Sequence, residues 1–202
     1  MVQTPLKTQK LSLQLPEEIS LQVSHEQFEL LAAANRDLRL ERTATGGLIV
    51  NPPTGWETGE RNFSILGQLF TWHTAHCELG KAFESSTGFL LLNGATRSPD
   101  ASWISQERWD ALSPEQKRTF PNICPDFVIE LRSASDALKP LQEKMKEYMD
   151  NGASLGWLID PKSKQVEIYR IRKKAEALSM PTELSGEAVL PGFVLDLRQI
   201  WT

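Results

Sequence analysis

The fold is decided by residues 125–132, which read PDFVIELR. The run from Phe127 to Leu131 is apolar except for Glu130, and two of its residues are β-branched, which predicts a strand covered on both faces. A buried, ionised carboxylate without a partner costs several kcal/mol, so Glu130 requires a nearby cation, either a metal ion or a protein side chain. The strand is therefore expected to carry both core residues and a candidate site.

A second carboxylate for that site should come from a neighbouring strand. Asp126 and Glu130 lie on one face of the strand, but residues advance about 3.3 Å each, which separates the two by roughly 13 Å. Oxygen ligands lie only about 2.0 to 2.1 Å from Mg²⁺, so these two residues cannot share one ion. Asp126 is expected to support the entry of the strand. Asp100, in the earlier Pro-Asp dipeptide Pro99-Asp100, is the candidate.

Length, composition and charge limit the classes of protein to which this chain can belong. A chain of 202 residues with 40% hydrophobic and 24% charged residues predicts one compact globular domain. A net charge of −4 excludes a generally basic surface that binds nucleic acid by phosphate neutralisation alone, so any nucleic-acid contact must be local. The two cysteines, Cys77 and Cys124, form no disulfide framework and are expected to be reduced thiols in or near the core.

No signal peptide or stretch of about 18 apolar residues is apparent, which predicts a cytoplasmic protein without a membrane partner. Residues 1–23 are expected to form an N-terminal arm or an edge strand, and residues 24–202 a single domain. In that first segment, leucines at every second position favour a strand; they are Leu11, Leu13 and Leu15. Ser24 followed by Gln27 predicts a capping box that opens a helix.

The remaining pattern predicts an α/β fold with a mixed central sheet flanked by helices. A hairpin is expected over 38–51, and a helix over 59–78. One face of that helix is expected to comprise Phe63, Leu66, Phe70, His73 and Cys77. Further strands are expected at 81–84, 88–92, 100–104, 157–160 and 166–169. Asp136 is expected to cap a helix that runs to about Asn151 and stops at Gly152.

As an ordered set, the motifs resemble those of the PD-(D/E)XK nuclease superfamily, and within it the Uma-type restriction endonuclease family. The resemblance covers roughly residues 25–200. It is carried by Glu41, residues 51–55, 97–100 and 125–133, Lys144 with Tyr148 and Gly152, and residues 157–161 and 190–193.

The resemblance implies a restriction-endonuclease-like core, with Asp100 and Glu130 on adjacent strands as Mg²⁺ ligands; Mn²⁺ is expected to substitute. In the hypothesis that follows from it, the backbone carbonyl of Leu131 is a third ligand. The superfamily's lysine normally lies two residues after the glutamate, where this chain has Arg132, and Arg is a poor general base. Lys144 matches the position to which the lysine has moved in the Uma-type family. Arg132 is then expected to assist electrostatically.

Several alternatives stay open for these side chains. Glu130 could pair with Arg132 or Arg97, and Lys144 could be a solvated lysine. Tyr148 lies one turn after Lys144 and could point at the same strand end. Glu41 is either an additional carboxylate beside the metal or part of an exposed cross-strand pair with a neighbouring arginine.

The function expected from these residues is Mg²⁺-dependent hydrolysis of DNA by an endonuclease. Arg132 at the usual lysine position favours a rival from another class, a noncatalytic protein of the same fold that binds nucleic acid or a protein. A phosphodiesterase acting on RNA or a small nucleotide would use the same site. DNA is the expected partner, and a homodimer is left open.

Overall fold

The computed structural model describes residues 20–118 and 120–202. The predicted edge strand around Leu11, Leu13 and Leu15 lies outside these residues. Within them, the helices are α1 (His25–Ala34), α2 (Trp56–Ala75), α3 (Gln106–Asp110) and α4 (Leu138–Asp150), with a 3₁₀ turn at Gln116–Arg118. The strands are β1 (Arg39–Arg42), β2 (Leu48–Asn51), β3 (Gly80–Glu84), β4 (Phe89–Leu90), β5 (Thr96–Arg97), β6 (Ala101–Ser105), β7 (Phe127–Leu131), β8 (Leu155–Asp160), β9 (Gln165–Arg170), β10 (Glu176–Ser179), β11 (Glu183–Ser185) and β12 (Val194–Asp196).

The central sheet has the strand order β10-β9-β8-β7-β6-β3 in the described part of the chain. Its ladders are antiparallel except for β7 and β8, which run parallel because α4 connects them as a crossover. The expected mixed α/β fold is therefore confirmed. The strand predicted at 127–131 has the same bounds in the structure, and all five of its residues are buried.

Strand β7 divides the core into two halves because its side chains alternate between the faces of the sheet. Phe127, Ile129 and Leu131 pack on the side of α2, whereas Val128 packs on the side of α4. Glu130 has the same parity as Val128 and therefore faces α4. The alternation thus directs the one acidic residue of the strand towards the helix that carries Lys144.

A smaller sheet, with the order β2-β1-β5-β4, leads into the central sheet. The predicted hairpin forms, with Leu40 opposite Val50, and β1 also pairs with β5 through Arg42 and Thr96. Only residues 98–100 separate β5 from β6. The carboxylate of Glu41, on β1, is consequently held close to the start of β6.

Local sequence signals predict the N-terminus of α1 correctly and the capping residue of α4 incorrectly. The capping box of α1 is present, since the Gln27 N–H donates to Ser24 Oγ and the Ser24 N–H donates to Gln27 Oε1. The prediction that Asp136 caps α4 is wrong: Ala137 holds the cap position, and Asp136 Oδ2 accepts the Ser133 N–H at 2.8 Å. The Asp136 carboxylate is therefore used in a turn before the helix, a role that Asp side chains commonly have.

The predicted packing face of α2 is also wrong. Ile65, Leu69 and Trp72 are the residues buried in the core, while Phe63 and Phe70 point to solvent. Both sets repeat at helical spacing, so periodicity alone could not choose between them. Of the two free cysteines, Cys124 is buried as expected and Cys77 is exposed.

None of the helices in the described ranges combines the length and hydrophobicity that crossing a bilayer requires.

Gly80 begins β3 where the backbone of the neighbouring strand β6 passes too close for a side chain. A Cβ atom there would collide with the carbonyl oxygen of Ile104 and the ring of Trp103. We expect Gly80→Ala to lower the free energy of unfolding by about 1–3 kcal/mol, the usual cost of overpacking. Urea denaturation measures this. The control Gly59→Ala, whose Cβ would meet only ordinary contacts within α2, should keep or raise stability.

Candidate active site

The two predicted carboxylates lie at the same edge of two adjacent strands: Glu130 is in β7, and Asp100 comes directly before β6. Ala101 of β6 lies opposite Ile129 of β7, and one further step along the antiparallel ladder places Asp100 opposite Glu130. Directly opposed residues on one face have Cβ atoms about 4.5–5.5 Å apart. Both carboxylates line one cavity of about 600 Å³. The structure therefore brings these two residues together, as the argument from strand spacing required.

Leu131 connects the two carboxylates through the backbone. Its N–H donates to Asp100 Oδ2 at 2.9 Å, because β6 begins at Ala101 and offers no ladder partner at this position. In an antiparallel pair the N–H and C=O of one residue point to the same neighbouring strand, so the Leu131 carbonyl belongs to the same side of β7 as its N–H. Leu131 lines the cavity as well.

Lys144 reaches over the end of β7 from the second turn of α4. Its Nζ lies 2.8 Å from Glu130 Oε1 and 2.9 Å from Glu41 Oε1, with 13% of the side chain exposed. The expected approach of Lys144 to Glu130 is confirmed, and the alternative of a solvated lysine is wrong. One turn later, the Tyr148 hydroxyl donates to Glu130 Oε1 at 3.0 Å.

Burial and charge act in opposite directions on this cluster. Burial raises the pKa of Glu130 to about 7; Lys144 opposes the shift, and the negative charge of Asp100 adds to it. Burial would also raise the pKa of Glu41, but the charges of Lys144 and Arg97 and the Ser98 N–H hold it below its ordinary value. Burial would lower the pKa of Lys144, yet the two glutamates raise it. Lys144 therefore stays protonated, and the two glutamates hold its ammonium group in place.

Burial raises the pKa of Tyr148 well above its ordinary value, and the negative charges of Glu130 and Glu41 act in the same direction. The phenol consequently stays protonated and remains a hydrogen-bond donor to Glu130. Tyr148, named from sequence as a further candidate, supports the orientation of the glutamate.

Glu41 is buried, so the alternative of an exposed cross-strand pair is wrong. Its Oε1 accepts from Lys144 and from the Ser98 N–H, and its Oε2 accepts from Arg97 at 3.2 Å. Since both oxygens already accept hydrogen bonds, this geometry favours a carboxylate that fixes Lys144 over one that binds a metal. Arg97 is itself oriented by Glu147 at 2.6 Å.

Arg132 lies outside the cluster. Its NH1 donates to Asp160 Oδ2 at 2.8 Å, and its Nε donates to the Asp136 carbonyl. Neither Glu130 nor Asp100 is among the described partners of this guanidinium. The expectation that Arg132 assists at the site is therefore corrected: Arg132 follows Glu130 by two residues but is bound by the partner that β8 supplies.

Asp126 lies at the other end of β7. Its Oδ2 accepts the Ser105 N–H at 2.8 Å, and its Oδ1 pairs with Arg108 at 2.7 Å. Its carbonyl accepts from the N–H groups of Ser154 and of Leu155, the first residue of β8. Asp126 thus ties three elements together at the entry of the strand, as expected from spacing, and it does not line the cavity.

Arg39 is a site residue that the sequence argument missed. It lies two residues before Glu41 on β1, lines the cavity, and its NH2 is 3.5 Å from Asp100 Oδ1. Its buried Nε has no hydrogen-bond partner in the described part of the chain. A signal was available, because residues two apart on a strand share a face and Glu41 was already a candidate.

The donor set fits Mg²⁺. Asp100 and Glu130 supply carboxylate oxygens, Leu131 a carbonyl, and the contacts of Glu130 in the described residues fall on Oε1, which leaves Oε2 for a ligand. No group of three or more His, Cys, Asp or Glu residues that could hold a metal occurs in residues 20–118 and 120–202. Mg²⁺ requires no such cage, since it is usually bound by one or two carboxylates with water and phosphate oxygens.

Comparison with known proteins yields a family and a fold. The model of the Uma2 family, described as "Putative restriction endonuclease", matches residues 25–198. The crystal structure of a "putative nuclease belonging to DUF820" from Anabaena variabilis is similar with a TM-score of 0.67 and 19% identity, over 80% of this chain and 89% of that one. The similarity supports a restriction-endonuclease-like fold.

A DrdV–DNA complex is also similar, at a TM-score of 0.34 and 11% identity, over 61% of this chain and 12% of that one; this similarity is too low to support an inference. No curated protein matches the chain significantly.

The pair of Arg132 and Asp160 gives a stability prediction with a defined pH dependence. Burial would raise the pKa of Asp160, but hydrogen bonds from Ser163 and Arg132 hold it below its ordinary value. A lowered folded-state pKa stabilises the protein above the unfolded pKa, and this stabilisation is lost as the pH falls through the folded value. Asp160→Asn should therefore cost about 1.5–3 kcal/mol at pH 7.

The difference in the free energy of unfolding between Asp160→Asn and the wild type should become smaller below about pH 4. Urea denaturation at several pH values tests it. Asp150→Asn, at an exposed residue of α4, is the control and should change stability by less than about 0.5 kcal/mol. A loss that stays the same down to the acid-unfolding range would contradict the assignment.

Proposed function

The chain belongs to the Uma2 family, and we propose that it is a Mg²⁺-dependent endonuclease that hydrolyses phosphodiester bonds in DNA. One observation carries the proposal: Asp100 before β6, Glu130 in β7 and Lys144 in α4 line a single cavity. Two carboxylates beside a cation in a cavity match the needs of phosphodiester hydrolysis, which develops negative charge on phosphate oxygens.

Asp100, Glu130 and the Leu131 carbonyl would hold the ion. When bound, Mg²⁺ supplies charge neutralisation at the phosphate and lowers the pKa of a coordinated water. The Leu131 N–H holds Asp100 in place, and the Tyr148 hydroxyl orients Glu130. Both interactions preorganise the ligands before substrate arrives, which is where an active site gains most of its advantage.

Lys144 would stabilise the charge that develops on the attacked phosphate, or orient the attacking water. Its three N–H donors allow it to keep Glu41 and Glu130 while presenting the third to substrate. Glu41 serves this role indirectly, because it pairs with the ammonium at 2.9 Å in addition to the contact with Glu130 at 2.8 Å. Helix α4 would thus supply the cation of the site, since Arg132 is paired with Asp160.

Arg39 is the side chain best placed to bind the scissile phosphate. It lies at the cavity with an unpartnered Nε and only a weak 3.5 Å contact to Asp100. Arginine forks recognise phosphate oxygens by two parallel hydrogen bonds. Such a contact is local, which is what the net charge of −4 requires of any DNA binding.

A noncatalytic protein of the same fold, binding nucleic acid or a protein, is the rival function. The observation that favours it is the ion pair between Arg132 and Asp160. Because of this pair, the residue two positions after Glu130 does not place a cation at the site. Direct assays on plasmid DNA, RNA and dinucleotides separate the rivals, since only the endonuclease cleaves internal bonds of DNA.

Glu130→Gln should abolish Mg²⁺-dependent nicking of supercoiled plasmid, because it removes a ligand charge. Its thermal stability should equal or exceed that of the wild type, since it removes a costly buried charge while Glu41 keeps Lys144 paired. Gel assays and thermal melts measure the two effects. Glu143→Gln, at an exposed residue of α4, is the control. A wild type that cleaves no nucleic acid with Mg²⁺ or Mn²⁺ favours the noncatalytic rival.

Lys144→Ala should slow cleavage by at least about 100-fold, the scale expected for a positioned charge-stabilising or acid-base group. The exposed Lys146→Ala, on another side of α4, should cost little. Single-turnover cleavage rates are compared at temperatures where circular dichroism shows both variants folded, because Lys144→Ala leaves two buried carboxylates without their cation. Equal losses in the two variants would refute the role of Lys144.

A further inference from the structure

Trp56 is an exposed aromatic residue at the cavity that contains the candidate site. It is the first residue of α2, it is 96% exposed, and it lines the same cavity as Asp100 and Glu130. Phe63 and Phe70 are also exposed on α2, but neither of them lines the cavity. The Trp56 indole therefore differs from the other two aromatic rings in location, because it lies at the edge of the space that a substrate would occupy.

The chain presents Trp56 on a rigid support. Pro52 and Pro53, which also line the cavity, precede α2, and the ring of each proline fixes its φ near about −65°. Farther along α2, Leu69 and Trp72 are buried and anchor the helix in the core. An aromatic side chain on a fixed backbone offers a large contact area and loses little conformational entropy when it binds. The position of Trp56 therefore suits the recognition of a flat ligand.

The carboxylates of the site are recessed in the cavity. Asp100 is 9% exposed and Glu130 is 4% exposed, so a phosphate must enter the cavity to reach them. The cavity volume of about 600 Å³ is within the range of about 300–1,000 Å³ of sites that enclose one small ligand. A nucleotide of a duplex enters such a site only after it is unstacked and unpaired, which costs free energy. An unpaired nucleotide enters without that cost.

We infer that the DNA substrate is unpaired at the scissile phosphate and that a base beside this phosphate stacks on Trp56. The inference rests on the proposed function and names its substrate class, which is single-stranded DNA or a single-stranded gap in a duplex. Arg39 would bind the phosphate, and Trp56 would bind the base at the edge of the cavity. An indole stacks on bases of any sequence, because every base has a π-face.

The charge of the chain agrees with this kind of contact. At a net charge of −4, phosphate neutralisation by a generally basic surface cannot supply the affinity for DNA. Stacking on an aromatic ring does not depend on a basic surface. Trp56 therefore supplies affinity of a kind that the local phosphate contact of Arg39 does not.

Cleavage of three DNA substrates of one sequence tests the substrate class. They are a single strand, a fully paired duplex and a duplex with a single-stranded gap. With Mg²⁺, the wild type should cut the single strand and the gap at least about tenfold faster than the paired duplex. A duplex that is cut as fast as the single strand overturns the inference and leaves the proposed function intact. Failure to cut any of the three contradicts the proposed function, and DNA binding then decides the role of Trp56.

Fluorescence anisotropy measures the stacking contact. Glu130→Gln is the background, so that DNA is bound but not cut. A labelled oligothymidylate and an abasic oligomer of equal length are titrated with this protein, with and without Trp56→Ala. Trp56→Ala should weaken the binding of the oligothymidylate by at least about fivefold and that of the abasic oligomer by less than about twofold, because only the former has bases that can stack. Trp56→Phe should keep most of the affinity.

Phe63→Ala is the matched control, since Phe63 is 79% exposed on the same helix but does not line the cavity. It should leave both affinities within about twofold of the background. Trp56 and Phe63 are exposed and alanine favours helices, so these changes should keep the protein folded, which circular dichroism checks.

Three results of the binding experiment overturn the inference. One is that Trp56→Ala leaves the binding of the oligothymidylate unchanged. Another is an equal loss of affinity for both oligomers, which would show that Trp56 acts on the fold or on the sugar-phosphate backbone. The third is that the Glu130→Gln background binds neither oligomer.

Discussion

The ammonium of Lys144, held between Glu130 and Glu41, is the interaction on which the rest of the structure depends. Both carboxylates are buried, and each alone would be costly in the core. Removing the shared ammonium would leave two buried carboxylates without a cation and should cost at least about 3–5 kcal/mol, whereas the loss of either carboxylate leaves Lys144 paired with the other. The cluster therefore requires β7, β1 and α4 to keep their relative positions.

Around this cation the fold arranges its elements by simple rules. Strand alternation places Glu130 on the face of α4, the antiparallel register sets Asp100 opposite Glu130, and the short link between β5 and β6 holds Glu41 nearby. Where β6 stops pairing, the Asp100 side chain takes the Leu131 N–H that the ladder would otherwise have used. The end of the sheet thus becomes a site because backbone groups there need side-chain partners.

The three arginines near the site have different partners. Arg132 is bound by Asp160, and Arg97 supports Glu41 and Glu147. Arg39 alone of these three lines the cavity. A cation at a given sequence position is therefore a weaker guide to function than the carboxylates that surround it, since long side chains pair with whichever acid is nearest.

Much of this protein was readable from the sequence: the buried strand at 127–131 from its apolar run, the capping box at Ser24, the choice of Asp100 over Asp126 from the rise per residue, and the proximity of Lys144 to Glu130 from the ordered motifs. The first three inferences rest on local geometry and on spacing along the chain, whereas the proximity of Lys144 to Glu130 was implied by the resemblance to a known family. Tertiary structure alone decided the burial of Glu41, the partner of Arg132, the place of Arg39 and which side of α2 faces the core. In each of these cases several partners or faces satisfied the local pattern equally, and only packing against distant strands selected one.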